Sequence, residues 1–231
     1  LLTATVAPPA EAVARHHISL RLADYKTALY NYLEIVPEQF DGVVFVDNSG
    51  SDLDTLTELI PVRCPLTFEF ISFFGNDHPV GYGKAYGEFR LVEYALARAC
   101  LITPFTMIWK STGRLVCSNL ASLAQGVPSG TRWVGDLHNV PGIHTIERGT
   151  SGSMDLRVFG FTPEGYRKVI GESRLAKHAQ FNAAHVYSCV RSVLHEPGIV
   201  PRFPIQPRIR GISGRTGRDY DSLTQKIKNG V

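Results

Sequence analysis

Apolar and polar positions alternate between two regimes along the chain. Leu1-Leu2-Thr3-Ala4-Thr5-Val6 is a short apolar run with β-branched residues, closed by Pro8-Pro9. It predicts a first strand. Over residues 18–36 the spacing changes. Leu22, Tyr25, Leu29, Tyr32 and Leu33 recur every three or four positions, which describes one face of a helix, and Pro37 ends it. Val43-Val44-Phe45-Val46 is a compact apolar strand of the kind buried on both faces of a parallel sheet. It runs into the turn Asp47-Asn48-Ser49-Gly50. A short helix over 52–60 and a strand over 66–74 follow. The glycine-rich segment 81–88 opens a helix over 89–101, stopped by Pro104. Residues 105–109 read as the next strand, ending in Lys110-Ser111-Thr112-Gly113-Arg114.

Beyond Leu120 the pattern loosens. Residues 132–134 and 156–161 read as strands, 163–170 and 182–194 as helices. Residues 201–217 read as a loop rich in proline, arginine and glycine. Strand–helix–strand alternation predicts an α/β chain with a mainly parallel central sheet flanked by helices. The expected organisation is one domain over 1–200, with 201–231 as its basic C-terminal loop, or lid, and tail.

Composition narrows the class. The 231 residues carry 44% hydrophobic and 19% charged positions, enough apolar material for one buried core. No apolar run approaches the ~20 residues of a membrane helix. The start of the chain lacks a basic leader and a cleavage site, so a secretory signal is not expected. The net charge of +3 is too small to imply nucleic acid. Arg202, Arg208, Arg210, Arg215, Arg218, Lys226 and Lys228 nevertheless crowd the last thirty residues. That clustering suits a phosphate-bearing ligand, an acidic membrane surface or simply a solvated tail. Cys64, Cys100, Cys117 and Cys189 have no metal-finger spacing and read as free thiols in a reducing compartment.

Ligands of open α/β sheets bind beyond the carboxyl ends of the strands, where strand order reverses. Three strand-end or helix-start segments therefore matter. Asp47-Asn48-Ser49-Gly50 can hydrogen-bond a base or ribose, or can serve as an Asx-turn that caps the next helix. Gly81-Tyr82-Gly83-Lys84-Ala85-Tyr86-Gly87-Glu88 exposes backbone N–H groups at a helix start, which favours an anion; a surface loop is the alternative. Lys110-Ser111-Thr112-Gly113-Arg114 places two cations and two hydroxyls after a strand, suited to oxyanions. The alternative for Lys110 is an internal salt bridge to Glu69, Glu88 or Glu93.

In that order the motifs resemble those of bacterial surface-polysaccharide glycosyltransferases, which are related to the GT-A nucleotide-sugar fold. They run from the first strand through Val46-Asp47-Asn48-Ser49-Gly50, Gly83-Lys84 with Gly87-Glu88, and Lys110-Ser111-Thr112-Gly113-Arg114 to Arg210-Gly211-Ile212-Ser213-Gly214. The resemblance implies a single GT-A-like (Rossmann-like) domain that transfers a sugar from a nucleotide-activated donor to a glycan or lipid-linked glycan acceptor. It implies a cytoplasmic enzyme, with peripheral association at the inner membrane if the acceptor is lipid-linked. The donor-binding set it implies is Asp47, Asn48, Ser49, Lys84, Glu88, Thr112, Arg114, Arg210, Ser213 and Arg215.

One departure stands out. Members of that fold commonly hold a divalent cation on a DxD motif near a strand end, and here that strand end is basic. The literal Asp52-Leu53-Asp54 sits at a helix start and reads as N-terminal capping. Asp136-Leu137-His138 is a two-ligand pair, thin for a metal site. The expectation is therefore catalysis without metal or other cofactor, with Lys110, Arg114 and the C-terminal arginines stabilising the leaving phosphate. The C-terminal loop could close as a lid. For the base, Asp155 is preferred to Asp136, with His185 weaker; Asp155 paired with Arg157 and His185 as a core residue are the structural alternatives. A non-catalytic glycan- or nucleotide-binding domain is the competing reading from another class.

Overall fold

The computed structural model describes residues 1–9, 13–35, 39–138, 140, 152–171, 181–214, 216–217 and 219–220, apart from the side chains of residues 80, 83 and 84. Among the described residues the element order begins β1 (Leu2–Ala4), α1 (Ile18–Ile35), β2 (Gly42–Asp47), α2 (Asp54–Thr57) and β3 (Thr67–Ser72). Then come α3 (Gly83–Arg98), β4 (Ile108–Thr112), β5 (Val116–Cys117) and α4 (Leu120–Gly126). The order closes with β6 (Trp133–His138), β7 (Ser153–Phe161), α5 (Pro163–Val169), α6 (Ala183–Ser192), β8 (Ile199–Val200) and β9 (Ile209–Arg210).

Seven strands form a mostly parallel sheet in the order β3-β2-β1-β4-β7-β6-β8, and β5 pairs with β9 in a second, two-stranded sheet. The chain is α/β, as the alternation predicted. β1 runs parallel to β2 and β4, β2 parallel to β3, and β6 parallel to β8. β7 runs antiparallel to β6. No helix among the described residues is long and apolar enough to cross a membrane.

The residues group into two compact units. The first is Leu1–Asp77, Ser111–Ala124 and the chain from Pro207; the second is His78–Lys110 and Gln125–Gln206. The first unit packs Tyr25, Ala28, Leu29 and Tyr32 of α1 toward Phe45 and its neighbours, all buried. Tyr25 meets the Phe45 ring edge-on at 5.6 Å. The second unit has an aromatic core. Phe89, Trp133, Phe159, Phe161, Tyr166 and Phe181 stack or meet edge-on with centroids 5.3–6.1 Å apart.

Three boundaries differ from the sequence reading. The glycine-rich segment ends a 3-10 turn at Gly81 and Tyr82 and from Gly83 forms the first turns of α3, because the buried stripe begins at Ala85 and continues through Phe89, Val92 and Ala95. The strand expected over 105–109 is displaced to Ile108–Thr112, and Phe105 is exposed. Lys110 and Ser111 therefore lie inside the strand. The segment expected to be an unpaired C-terminal loop contains β9, whose Ile209 is buried and faces Cys117 of β5. From Pro207 that segment belongs to the first unit.

Candidate functional site

In the first unit, strand order reverses beside β1: β2 and β3 lie on one side and β4 on the other. A parallel sheet opens a crevice at such a point, beyond the carboxyl ends of the two strands. The loops that leave β1, β2 and β4 there contain the expected donor residues Asp47, Asn48, Ser49, Thr112 and Arg114.

Asp47 organises these loops from below. Its side chain is fully buried. One carboxylate oxygen accepts from the Val6 backbone N–H at 2.7 Å. The other accepts from the Ser49 N–H at 2.9 Å, the Ser51 N–H at 3.3 Å and the Ser72 hydroxyl at 3.3 Å. The Ser49 hydroxyl donates to the same carboxylate and accepts from the Ala7 N–H at 3.0 Å. Asn48 is buried too, and its side-chain oxygen accepts from the Thr5 hydroxyl at 2.7 Å. The predicted Asx-turn is thus present. It is also a tie between three strand ends, so Asp47 shapes the crevice with its carboxylate turned inward. Gly50, at φ +66°, completes the turn in a conformation that favours glycine.

Arg21, which the sequence reading left unassigned, ties α1 to the end of β1. Arg21 is buried and donates to the Thr5 carbonyl at 2.6 Å, to the Arg15 carbonyl at 3.3 Å and to the Tyr25 hydroxyl at 3.0 Å. Tyr25 in turn accepts from the Thr5 N–H at 2.9 Å. Arg15 is held by Asp24. The i,i+4 spacing of Arg21 and Tyr25 on α1 was the available signal, because it puts both on one helix face.

Arg114 joins two of the predicted motifs. Its guanidinium donates to the Ile212 carbonyl at 2.6 Å. It also lies across Gly214, where an added Cβ would sit 2.8 Å from the guanidinium. Ser213 is buried and forms a turn, its hydroxyl accepting from the Thr216 N–H at 3.3 Å. Arg210 is exposed on β9. The Arg15 N–H donates to the Gly214 carbonyl at 3.2 Å. The backbone of the segment around 207–214 is therefore fastened to Arg114 and Arg15. Arg215 and the side chain of Lys84 lie outside the described residues.

Lys110 belongs to the second unit, is completely buried, and forms an ion pair with Glu88. It also donates to the Leu156 carbonyl at 2.7 Å and lies 5.4 Å from the Phe159 ring centre. The internal salt bridge is the arrangement observed, and Glu88 is its partner. Ser111, the next residue, belongs to the first unit and is equally buried. Its hydroxyl is 2.7 Å from that of Tyr32, which also donates to the Leu115 carbonyl and accepts from the Cys117 N–H. Burial holds the Tyr32 phenol protonated far above its ordinary range, so it stays a donor.

The second unit contains the other cluster. Asp136 and Asp155 stand directly opposite each other on β6 and β7. Like charges so placed repel, and each carboxylate has its own arginine. Arg157 grips both oxygens of Asp155, with contacts at 2.9 and 3.0 Å from its Nε. Arg202 approaches Asp136 at 3.2 Å. His138 shares the Asp136 face of β6 by strand alternation. Its Nε2 is 3.9 Å from an Asp136 oxygen. Asp136, His138 and Asp155 present one ligand-type atom each within 4.8 Å of one another. The Nδ1 of His138 and the Nη1 of Arg202 are buried without a hydrogen-bond partner among the described residues. His185 is not in this cluster; it caps the start of α6 with Asn182.

β7 is irregular beside the cluster. Val134 faces Gly160 and Asp136 faces Asp155, so Gly135 alone spans four residues of β7, 156–159. This bulge takes Leu156 out of register with β6, and its carbonyl receives Lys110.

Burial opposes charge on Asp155, but the Arg157 guanidinium outweighs it and holds the carboxyl below its ordinary value. A carboxyl lowered on folding stabilises the protein above its unfolded value, near pH 3.9. That contribution is lost as pH falls through the lower folded value. Urea titrations of Asp155→Asn are expected to show a flatter acid limb of stability below about pH 4 than the unsubstituted protein. An unchanged limb would show that Asp155 carries no such charge.

Comparison with protein-family models and with curated proteins returns no match for this chain.

Proposed function

We propose that the chain is a glycosyltransferase that moves a sugar from a nucleotide-activated donor to a bacterial surface glycan acceptor. The observation that carries this reading is the reversal of strand order at β1/β4. Strand order 3-2-1-4 opens the nucleotide-binding sheets of doubly wound folds, whose ligands sit at this point. In this reading, the GT-A-like donor site lies over the 47–50 turn and beside Arg114. Ser49 and Gly50 face the nucleoside. Arg114, Thr112 and Arg210 receive the phosphates, whose charge grows as the anomeric bond breaks. Lys110 has no share in this, because its ammonium is enclosed with Glu88.

A DxD-type cation does not fit at the end of β4. Lys110, Ser111 and Thr112 offer no carboxylate there, and a dication would meet Arg114. At the second cluster, two arginines already balance the two carboxylates. Leaving-group charge is therefore assigned to arginine in the proposal. The acceptor is a glycan, free or lipid-linked, and a lipid-linked one would bring a cytoplasmic enzyme to the inner membrane face. The arginine pairing of both Asp136 and Asp155 favours a second reading, a non-catalytic nucleotide- or glycan-binding domain.

Thermal-shift titration against UDP-, GDP-, dTDP- and CMP-sugars, with and without EDTA, tests the donor site. A matching donor at a hundred times its Kd is expected to add about 2.7 kcal/mol of stability, with EDTA making no difference. No shift with any donor defeats the transferase and nucleotide-binding readings and leaves only a glycan-binding domain. A shift that needs Mn²⁺ defeats the metal-free mechanism, and binding without donor turnover leaves the non-catalytic domain.

A further inference from the structure

In the first unit we infer that Phe74 is the platform on which the donor nucleobase stacks; this rests on the reading of the 47–50 turn as the nucleoside site. Phe74 follows β3 by two residues, belongs to the first unit and is 85% exposed. A lone exposed apolar side chain is ordinary. Phe74 differs in how it is held and in where it lies.

The backbone around Phe74 is tied to the turn. The Phe73 N–H donates to the Asp47 carbonyl at 3.0 Å, the Gly50 N–H to the Phe73 carbonyl at 2.9 Å and the Gly75 N–H to the Asn48 carbonyl at 2.9 Å. Phe74 itself forms an antiparallel bridge with Ser49. Its ring is seated on Gly50. A Cβ added to that glycine would stand within 2.6 Å of Cδ1, Cε1 and Cζ of Phe74. Such close approach to three consecutive ring atoms puts the glycine under the face of the ring, since an approach at the edge would leave the two outer atoms farther off. Gly50 therefore serves twice: its positive φ turns the chain, and its missing side chain makes room for the ring. One ring face rests on backbone and the other is open to water.

A ring already fixed in place loses little freedom when a ligand stacks on it. Its position selects the occupant. It covers a turn at the carboxyl end of β2, beside the carboxyl end of β3, and parallel sheets bind their ligands beyond such ends. The Asp47 carboxylate, the Asn48 side-chain oxygen and the Ser49 hydroxyl are engaged within the tie. At Gly50 the turn offers a flat apolar face, which suits a planar heterocycle. Every nucleobase has such a face, so stacking adds affinity without choosing among bases.

Calorimetric titration of the whole chain with UDP, GDP, dTDP and CMP, and with inorganic pyrophosphate as a probe lacking a base, tests this. Phe74→Ala is expected to weaken the tightest-binding nucleotide about 5- to 150-fold and to leave pyrophosphate affinity unchanged. Phe74→Tyr should retain most of the nucleotide affinity. Phe105→Ala, which removes the exposed phenylalanine of the second unit, is the control and should bind as the unsubstituted protein does. Because Phe74 is exposed, its replacement should leave the melting temperature nearly unchanged. Trp109 and Trp133 are buried, so the indole added in Phe74→Trp reports on the site directly. Nucleotide should quench its fluorescence and pyrophosphate should not. Unchanged nucleotide affinity in Phe74→Ala, or no quenching in Phe74→Trp, overturns the platform and leaves the donor reading intact. Equal weakening of nucleotide and pyrophosphate overturns it too, because the loss would not lie in the base. An unsubstituted protein that binds none of the four nucleotides defeats the donor reading and the platform with it.

Discussion

Lys110→Ala is expected to lower stability by about 3–5 kcal/mol, because removing one partner of a buried ion pair strands the other. Lys110 has no exposed surface, and Glu88 has only part of its side chain in water. The substitution also leaves the Leu156 carbonyl without its ammonium donor and opens a cavity beside Phe159. Replacing both partners should be much milder. A Lys110→Met, Glu88→Met double variant is expected to recover most of the loss, since apolar residues of similar volume often substitute for a buried pair at little cost. Equilibrium urea denaturation of the four members of the cycle gives the coupling. Donor affinity should follow the fold and not the charge, so the double variant should still bind. A stable Lys110→Ala protein with abolished donor binding would return Lys110 to the donor site.

Asp47→Ala is expected to cost about 3–5 kcal/mol as well, through a different mechanism. The carboxylate is an acceptor shared by donors from three chain segments: Val6, the 49–51 turn and Ser72. Deleting it leaves buried N–H groups without partners, each at roughly 1–3 kcal/mol. Asp47→Asn should not rescue the fold. Its amide end would present hydrogens to N–H groups that need an acceptor. Thermal denaturation of both variants is the check. If Asp47→Asn melted within about 0.5 kcal/mol of the unsubstituted protein, the range of an ordinary surface substitution, the tie would not be what holds the loops.

β2 was legible because it is nearly all apolar. Val43–Val46 have no other plausible place than the middle of a sheet. β4 was misplaced for the opposite reason. Its second half is Lys110-Ser111-Thr112, and a run of polar residues looks like a loop. It is a buried strand because Glu88 and Tyr32 reach it from elsewhere in the chain, and a local pattern cannot show a distant partner. The turn at Asp47 was placed correctly, but the direction of its carboxylate depends on Val6 and Ser72. Asp136 and Asp155 were named separately, nineteen positions apart. Their opposition requires β6 and β7 to pair antiparallel with a bulge of this exact register, which periodicity does not encode. His138 was visible only as half of a thin ligand pair.

The pairing of β5 with β9 has a consequence for synthesis. Cys117 and Ile209 are neighbours in space but ninety-two positions apart along the chain. At 5–20 residues per second a ribosome takes on the order of 5–20 s to deliver the second strand after the first. For that interval the first unit lacks Ile212 and Gly214, which hold Arg114 and Arg15. The nascent chain must therefore keep an unpaired strand edge through the whole emergence of residues 125–206. Its crevice is finished last, by the segment that reaches back to meet it.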